Sequence, residues 1–351
     1  MRRDIESLRG KVAFGLITIR EDEAEAILDR FEAPDSALGR ADYDIGIVTT
    51  LKGTEHQFAL VRCSQTGQGQ AQRAAHDLIE DLAPRLILLV GIGGAVPSKD
   101  FTLGDVVCAT RVHDFCVVAA LENLPDELDV RGGPMHWRIE QILRRLPALL
   151  RKASMEGWSS RDAIGYQIPQ LVVPPKRSNR YYGSDGWKKS VRESLEYHFP
   201  KGKQPRPQLV TARPVASSDA LVKDTETAQQ WSQAARAIAA VEMELAGVYI
   251  AARGDTEVPI LAIRGISDIV GFKRGEEWTK FACHSAAAFA FALVKSGELD
   301  HLLQPAELIP ERPKQAMMGK YNVQIAGDVH GFVQGDNQQV EMNFGKKPED
   351  K

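Results

Sequence analysis

Through its first third the chain alternates short apolar runs with stretches whose apolar residues fall at helical spacing, and this alternation constrains the fold most. KVAFGLITI (11–19), DIGIVTTL (44–51), FALVRCS (58–64), LILLVGIGG (86–94) and GDVVCATRV (104–112) read as strands. EDEAEAILDRF (21–31) and QAQRAAHDLIEDL (70–82) read as helices. Strands and helices in alternation imply an α/β domain on a mostly parallel, buried sheet.

From about 117 to 208 the character changes, with prolines, tryptophans and basic residues interleaved, as in VVPPKRSNRYYGSDGWKKS (172–190). An inserted subdomain is the reading. The α/β pattern resumes at LVTARPVASSDALV (209–222) and continues through AIAAVEMELAGVYIAA (237–252) and VPILAIRGISDIVGF (258–272). A last helix, EEWTKFACHSAAAFAFALVKSG (276–297), carries alanines that allow close packing on the sheet. The expected organisation is a catalytic body over 1–300, a proline-bearing linker over 301–320, and a short tail over 321–351. Alternating apolar and polar residues around GD and GDN turns give that tail a β-hairpin reading.

Composition narrows the function classes. With 351 residues, 43% of them hydrophobic, and a net charge of −3, the chain fits a globular protein and gives no support to nucleic-acid binding. Cys63, Cys108, Cys116 and Cys283 lie far apart with no CxxC pair, so neither a zinc site nor a disulfide framework is expected. No metal-ligand spacing is found, and no cofactor is expected. No run reaches the eighteen or so apolar residues of a membrane span, so a cytosolic location is expected.

Within the apolar run 237–252 stand two carboxylates, Glu242 and Glu244. A buried carboxylate costs several kcal/mol unless it is paired or hydrogen-bonded. Either both acids have specific partners, or the run turns at a corner where both reach water. Four other segments join glycine or polar residues to strand ends, where ligands bind in open α/β sheets. TGQGQ (66–70) leads into a helix and could offer backbone amides to an anion or a sugar, although a tight turn explains it equally. VGIGGAV (90–96) offers bare backbone at Gly91, Gly93 and Gly94 for a flat ligand, without the GxGxxG spacing of a dinucleotide site. SSDALV (217–222) and ISD (266–268) complete the set. On periodicity alone, a helix cap is the simpler reading of Asp268.

In order and wording these segments resemble the nucleoside phosphorylase and nucleosidase superfamily over residues 11–116 and 209–297. VGIGGAVPSKDFTLGDVV, VEMELAGVY and RGISD look like its base-pocket, ribose-binding and catalytic-acid segments. The resemblance implies a three-layer fold with a central mixed sheet. It also implies cleavage of an N-glycosidic bond. Asp268 would be the acid at the purine N7, oriented by Ser267, and burial beside AIRGI would help it keep its proton. Family members that prefer 6-aminopurines carry Asp there, which points to adenine. Glu244 would accept the ribose hydroxyls, Met243 would cover the sugar and Glu242 would support the pocket. Leu221 replaces a stacking aromatic, and Val222 would present backbone groups to the base.

The hexameric phosphorylases place an arginine and a serine around the VG of the glycine strand to hold phosphate, where this chain has Leu89 and Ile92. GLITIREDEAEAI is similar to the nucleosidase segment whose last glutamate activates water, which puts Glu23 in that role with Glu21 as fallback. An acidic first helical turn facing the helix dipole accounts for the same composition. Lys176, Arg177 and Arg180, with Lys188 and Lys189, are candidate phosphate ligands, and a solvated basic face is the competing reading. The segment 265–294 looks most like nucleosidase effector modules of bacterial immune systems. Expected partners are therefore a small purine nucleoside or nucleotide, further copies of the chain, and an activating component of such a system. A phosphate-dependent phosphorylase and a non-catalytic nucleotide sensor are the alternatives.

Overall fold

A computed structural model describes residues 1–119, 127–219, 225–235, 237–254 and 257–304. Leu221, Val222 and the 321–351 tail lie outside the described residues. Met1–Pro305 forms one compact unit.

Its sheet comprises β1 (Arg2–Arg3), β2 (Phe14–Thr18), β3 (Asp35–Leu38), β4 (Asp42–Thr49), β5 (Glu55–Arg62) and β6 (Leu86–Ala95). It continues with β7 (Val106–Ala119), β8 (Glu127–Pro134), β9 (Val210–Ser217), β10 (Ala240–Glu242) and β11 (Ile260–Ile269). The spatial order is β1-β3-β4-β5-β2-β6-β10-β9-β7-β11, with β8 folded back on β7 and β11 also paired to β6. Parallel pairs (β2 with β5 and β6, β6 with β11) alternate with antiparallel ones (β3 with β4, β7 with β11), so the sheet is mixed.

The apolar strands sit where their composition demands. Successive residues of a strand point to opposite faces, and Leu86, Ile87, Leu88 and Leu89 are all fully buried, so both faces of β6 are covered. Helix Gln68–Leu82 lays Leu78 over Gly15 of β2, and helix Glu277–Lys295 brings the Ala282 carbonyl over Gly265 of β11. A Cβ at either glycine would collide with its helix, so both approaches depend on the missing side chain. Helix 68–82 stops where Ala83 turns left-handed at φ 48° ahead of Pro84.

β6 uses one edge twice. Its first half pairs with β2, and its end, Gly94 and Ala95, pairs antiparallel with Val241 and Ala240 of β10. Because β10 runs beside β9, β9 beside β7, β7 beside β11 and β11 beside β6, these five strands form a closed ring. β7 outruns its expected end at 112 because β8 and β9 flank it as far as 119 and 114.

The stretch expected as an insertion contributes to the same core through Ile139, Leu146, Met155, Trp158, Tyr181 and Leu195. Leu302 and Leu303, on the helical turn Asp300–Leu303, join it as well. No helix among the described residues is long and apolar enough to cross a membrane.

Candidate active site

The C-terminal ends of β2, β6 and β11 meet the end of β10 around a cavity of about 560 Å³. Glu23, Gly93, Gly94, Met243, Glu244 and Asp268 line it, together with Arg20, Thr66, Ser267 and Arg274. This is the position at which open α/β sheets bind ligands.

Beneath the cavity lies a cluster of buried charge. Arg264, on β11, has no exposed surface, and its Nη2 donates to Glu242 Oε2 at 2.5 Å and lies 3.9 Å from Glu244 Oε2. Glu242 Oε2 also accepts the backbone N–H groups of Glu244 (3.0 Å) and Leu245 (2.8 Å), which tie down the start of helix Leu245–Ala251. Glu23 accepts three backbone N–H groups, those of Ile19 (2.9 Å), Arg20 (3.0 Å) and Ile92 (2.8 Å). Gly91 is what admits this cluster: a Cβ there would stand 2.5 Å from Glu23 Oε1 and 2.6 Å from Arg264 Nη1.

One guanidinium faces three carboxyl groups, so the acids are under-compensated. Burial pushes the Glu23 carboxyl above its ordinary range, with Arg264 and the three amides opposing. Burial and then the nearby Glu242 push Glu244 up to about 7, again against the pull of Arg264. For Arg264 burial alone would lower the pKa, but Glu242, Glu244 and Glu23 reverse this and hold it above the usual value.

Asp268 reaches the cavity through a β-bulge. The β6–β11 register passes from Ile266↔Gly93 to Asp268↔Gly94, so Ser267 is an extra residue and the strand bends there. Ser267 Oγ donates to Asp268 Oδ1 at 2.7 Å. Oδ2 stands over Gly94, where an added Cβ would come within 3.0 Å. Asp268 is half-buried, unlike the buried acid that its apolar neighbours suggest, because the bulge turns it from the core toward the cavity.

Glu23, Glu242, Met243, Glu244, Ser267, Asp268, Gly93 and Gly94 thus all line one cavity, with Gly91 directly behind. Glu21 is exposed and, among the described residues, pairs with Arg62 at 3.8 Å, so of the two acids Glu23 is the one that lines the cavity. The TGQGQ amides point to protein carboxylates: Gly67 N–H to Glu244 Oε1 (3.3 Å) and Gln68 N–H to Asp219 Oδ1 (2.7 Å).

The basic stretch does not reach this cavity. Lys176 lines a separate cavity with Lys188 and Lys189, Arg177 is exposed, and Arg180 lies over the Phe272 ring. Neighbours along a loop share a sequence window without sharing a destination. Sequence reasoning passed over Arg264 and Arg274. For Arg264 the signal was present: a lone arginine in the apolar strand ILAIRGI, matched to two lone acids in another apolar run.

Among the described residues no group of His, Cys, Asp and Glu could hold a metal ion. Cys63, Cys108 and Cys283 are buried free thiols, and burial pushes Cys63 up to about 12.

Comparison with known proteins bears on this geometry. A death domain-containing ATP nucleosidase of Amphimedon queenslandica is 23% identical over 288 residues, covering 79% of this chain and 47% of that protein. ATP nucleosidase Cap17 of Escherichia coli (strain KTE188) is 22% identical over 238 residues, covering 68% of this chain and 40% of the relative. The chain thus spans about half or less of the length of these curated relatives. The solved 5′-methylthioadenosine/S-adenosylhomocysteine nucleosidase of Helicobacter pylori superposes with a TM-score of 0.53 at 18% identity. That match covers 82% of this chain and 99% of that one, and shows a shared fold. The family model for the phosphorylase superfamily matches residues 15–296, from β2 to the end of the last long helix, and the chain belongs to that superfamily.

Proposed function

We propose that the chain is a purine N-ribosyl hydrolase that cleaves the N-glycosidic bond of an adenine nucleoside or nucleotide. One observation carries the reading: Asp268, Glu23 and Glu244 converge on a single cavity from three different elements. In this chemistry the C1′–N9 bond breaks as positive charge builds on the sugar, the base takes a proton, and water adds to C1′. Asp268, held by Ser267, gives its proton to N7 of the leaving base. Glu23, held by three amides, takes a proton from the attacking water, and its burial raises its basicity. Glu244 accepts the 2′ and 3′ hydroxyls, Met243 covers the sugar, and Gly93 and Gly94 leave room for the flat base.

Hydrolysis is favoured over phosphorolysis on local grounds. Leu89 is fully buried, and Ile92 presents its backbone N–H to Glu23, so neither side chain can hold an anion. The Gly67 and Gln68 amides already serve Glu244 and Asp219. Arg62 and Arg73, the arginines that flank TGQGQ in the sequence and could have held a phosphate there, face Glu21 (3.8 Å) and Asp77 (3.7 Å) instead. The names of the two curated relatives support adenine nucleotides as substrates. The likeness of segment 265–294 to immune effector modules supports an antiphage or stress role, with an activating partner, a homo-oligomer and a cytosolic setting as parts of the same proposal.

Incubation of the pure protein with ATP, AMP, adenosine and methylthioadenosine, with and without phosphate, tests the reaction class. Free adenine without phosphate is the expected product. Strict phosphate dependence would mark a phosphorylase, and binding with no release from any substrate would mark a sensor.

Glu244 offers a second test. Because its carboxyl is held up to about 7, it is largely protonated at pH 6 and ionised at pH 8. Only the ionised form accepts from both hydroxyls, so KM for adenosine is expected to fall as pH rises through about 7. Glu244→Gln should lack that inflection and raise KM about tenfold, the effect of losing a hydrogen bond to a charged group. The stability consequence has the opposite sign. A carboxyl whose folded pKa exceeds its unfolded value stabilises the fold below the unfolded pKa, and that contribution fades as pH rises toward about 7. The Tm of Glu244→Gln should therefore fall less than wild type between pH 4.5 and pH 7. Parallel Tm profiles would count against the assignment.

A further inference from the structure

Arg274 borders two cavities. One is the cavity of Glu23, Glu244 and Asp268, and the other, of about 500 Å³, is lined by Tyr182, Asp268, Phe272, Lys273 and Arg274. The Arg274 Nη2 donates to Thr279 Oγ1 at 2.5 Å, while its Nε is buried with no hydrogen-bond partner. Among the described residues no carboxylate forms an ion pair with it. The other arginines nearby are engaged: Arg264 is shared by three acids, and Arg20 is tied to Asp22 by two bonds of 2.8 Å. A half-buried guanidinium without a countercharge is costly, and a bound anion would offset that cost. Of the residues lining the second cavity only Asp268, at the seam, is acidic, whereas Lys273 adds a second, exposed cation.

We propose that the second cavity receives the phosphate chain of a nucleoside 5′-polyphosphate. Arg274 at the seam grips the phosphate nearest the sugar, and Lys273 grips an outer one. This rests on the N-glycosidase reading, since it takes the sugar to lie between Glu244 and Asp268. A guanidinium suits the task because its planar fork can bind two phosphate oxygens at once. The inserted segment contributes as a brace. Tyr182 N–H donates to Gly271 O (3.0 Å), Lys273 N–H to Arg180 O (2.8 Å), and Arg180 Nε to Lys273 O (2.8 Å). Trp187 Nε1 adds a bond to Val270 O at 2.7 Å. These bonds fix the backbone of 270–273, immediately before Arg274, so the cations are held in place before any ligand arrives.

The test is the ratio of kcat/KM for ATP to that for adenosine, measured by adenine release for wild type, Arg274→Gln and Arg274→Lys. Wild type is expected to favour ATP by about tenfold or more, the scale of one charge-assisted contact. Arg274→Gln should cut that ratio about tenfold, mainly through KM, with Arg274→Lys recovering part of the loss. An unchanged ratio in Arg274→Gln, or a wild type that favours adenosine, overturns the proposal. If Arg274→Gln does not fold, Lys273→Ala, which alters an exposed side chain, takes its place and must lower the same ratio. If neither substrate yields adenine, the N-glycosidase reading falls, and calorimetry with inorganic tripolyphosphate judges the anion site by itself. A roughly tenfold weaker affinity in the variant supports the site, and equal affinities refute it.

Discussion

Asp268→Asn is expected to reduce adenine release from an adenine nucleoside by at least about a hundredfold, the usual contribution of a general acid. The substitution changes little else. Asn has nearly the same shape, and its carbonyl oxygen can still accept from Ser267 Oγ, so the bulge at 267 should persist. Its amide can donate a hydrogen bond to N7 but cannot give up a proton there, so the base must leave as a poorer leaving group. Single-turnover rates should show the loss in the chemical step, while Tm stays near wild type. Activity close to wild type would remove Asp268 from the acid role, and a large drop in Tm would mean that the variant reports on folding instead.

Arg264→Met is expected to have the largest effect on stability, about 3–5 kcal/mol, because it leaves buried carboxylates without their cation. Glu242, within 2.5 Å of the guanidinium, and Glu244, at 3.9 Å, would be affected most directly. Acid should soften the damage. Glu23 and Glu244 are both held above the ordinary carboxyl range, so they take up protons readily as pH falls, and a protonated acid no longer needs a countercharge. Urea unfolding at pH 8 and pH 5 should therefore show a smaller deficit at the lower pH. Adding Glu242→Gln should recover part of the deficit, because the two groups form one bonded unit. A deficit below about 1 kcal/mol at pH 8 would mean that water or local rearrangement reaches the cluster.

Much of the frame was legible in the chain because backbone chemistry and burial leave local marks. Leu86–Ala95 is apolar throughout and is buried over its first half on both faces, and Gly91 and Gly94 stand where the backbone approaches the charged ends of Glu23, Arg264 and Asp268, while Gly93 faces the Val241 carbonyl. The paired acids of the 237–252 run were legible as an anomaly that called for specific partners, and both line the cavity. β10 ends at Glu242, Glu244 begins the helix, and the two meet through Arg264 from a strand twenty-two residues on. That partner is long-range, and spacing along the chain carries no trace of which lone cation answers which lone acid. The basic stretch 176–189 is the converse case. Charge density along a loop was visible, but its destination depends on how Tyr181 and Trp187 dock on the segment after β11.

The ring of β6, β10, β9, β7 and β11 bears on how a ligand gets in and out. A sheet with a free margin can yield by peeling its outermost strand, at the loss of a single ladder. A hoop has no such margin, and the strands that carry Gly94, Glu242 and Asp268 all belong to it. Widening one gap there would break hydrogen bonds on both sides of the strand that moves. Val270 N–H donates to Ala95 O at 2.9 Å, so the chain just after β11 is anchored to the hoop as well, and the cavity keeps the width that its strands set. The hoop would then set both the chemistry's geometry and the largest group that the cavity admits without breaking a ladder.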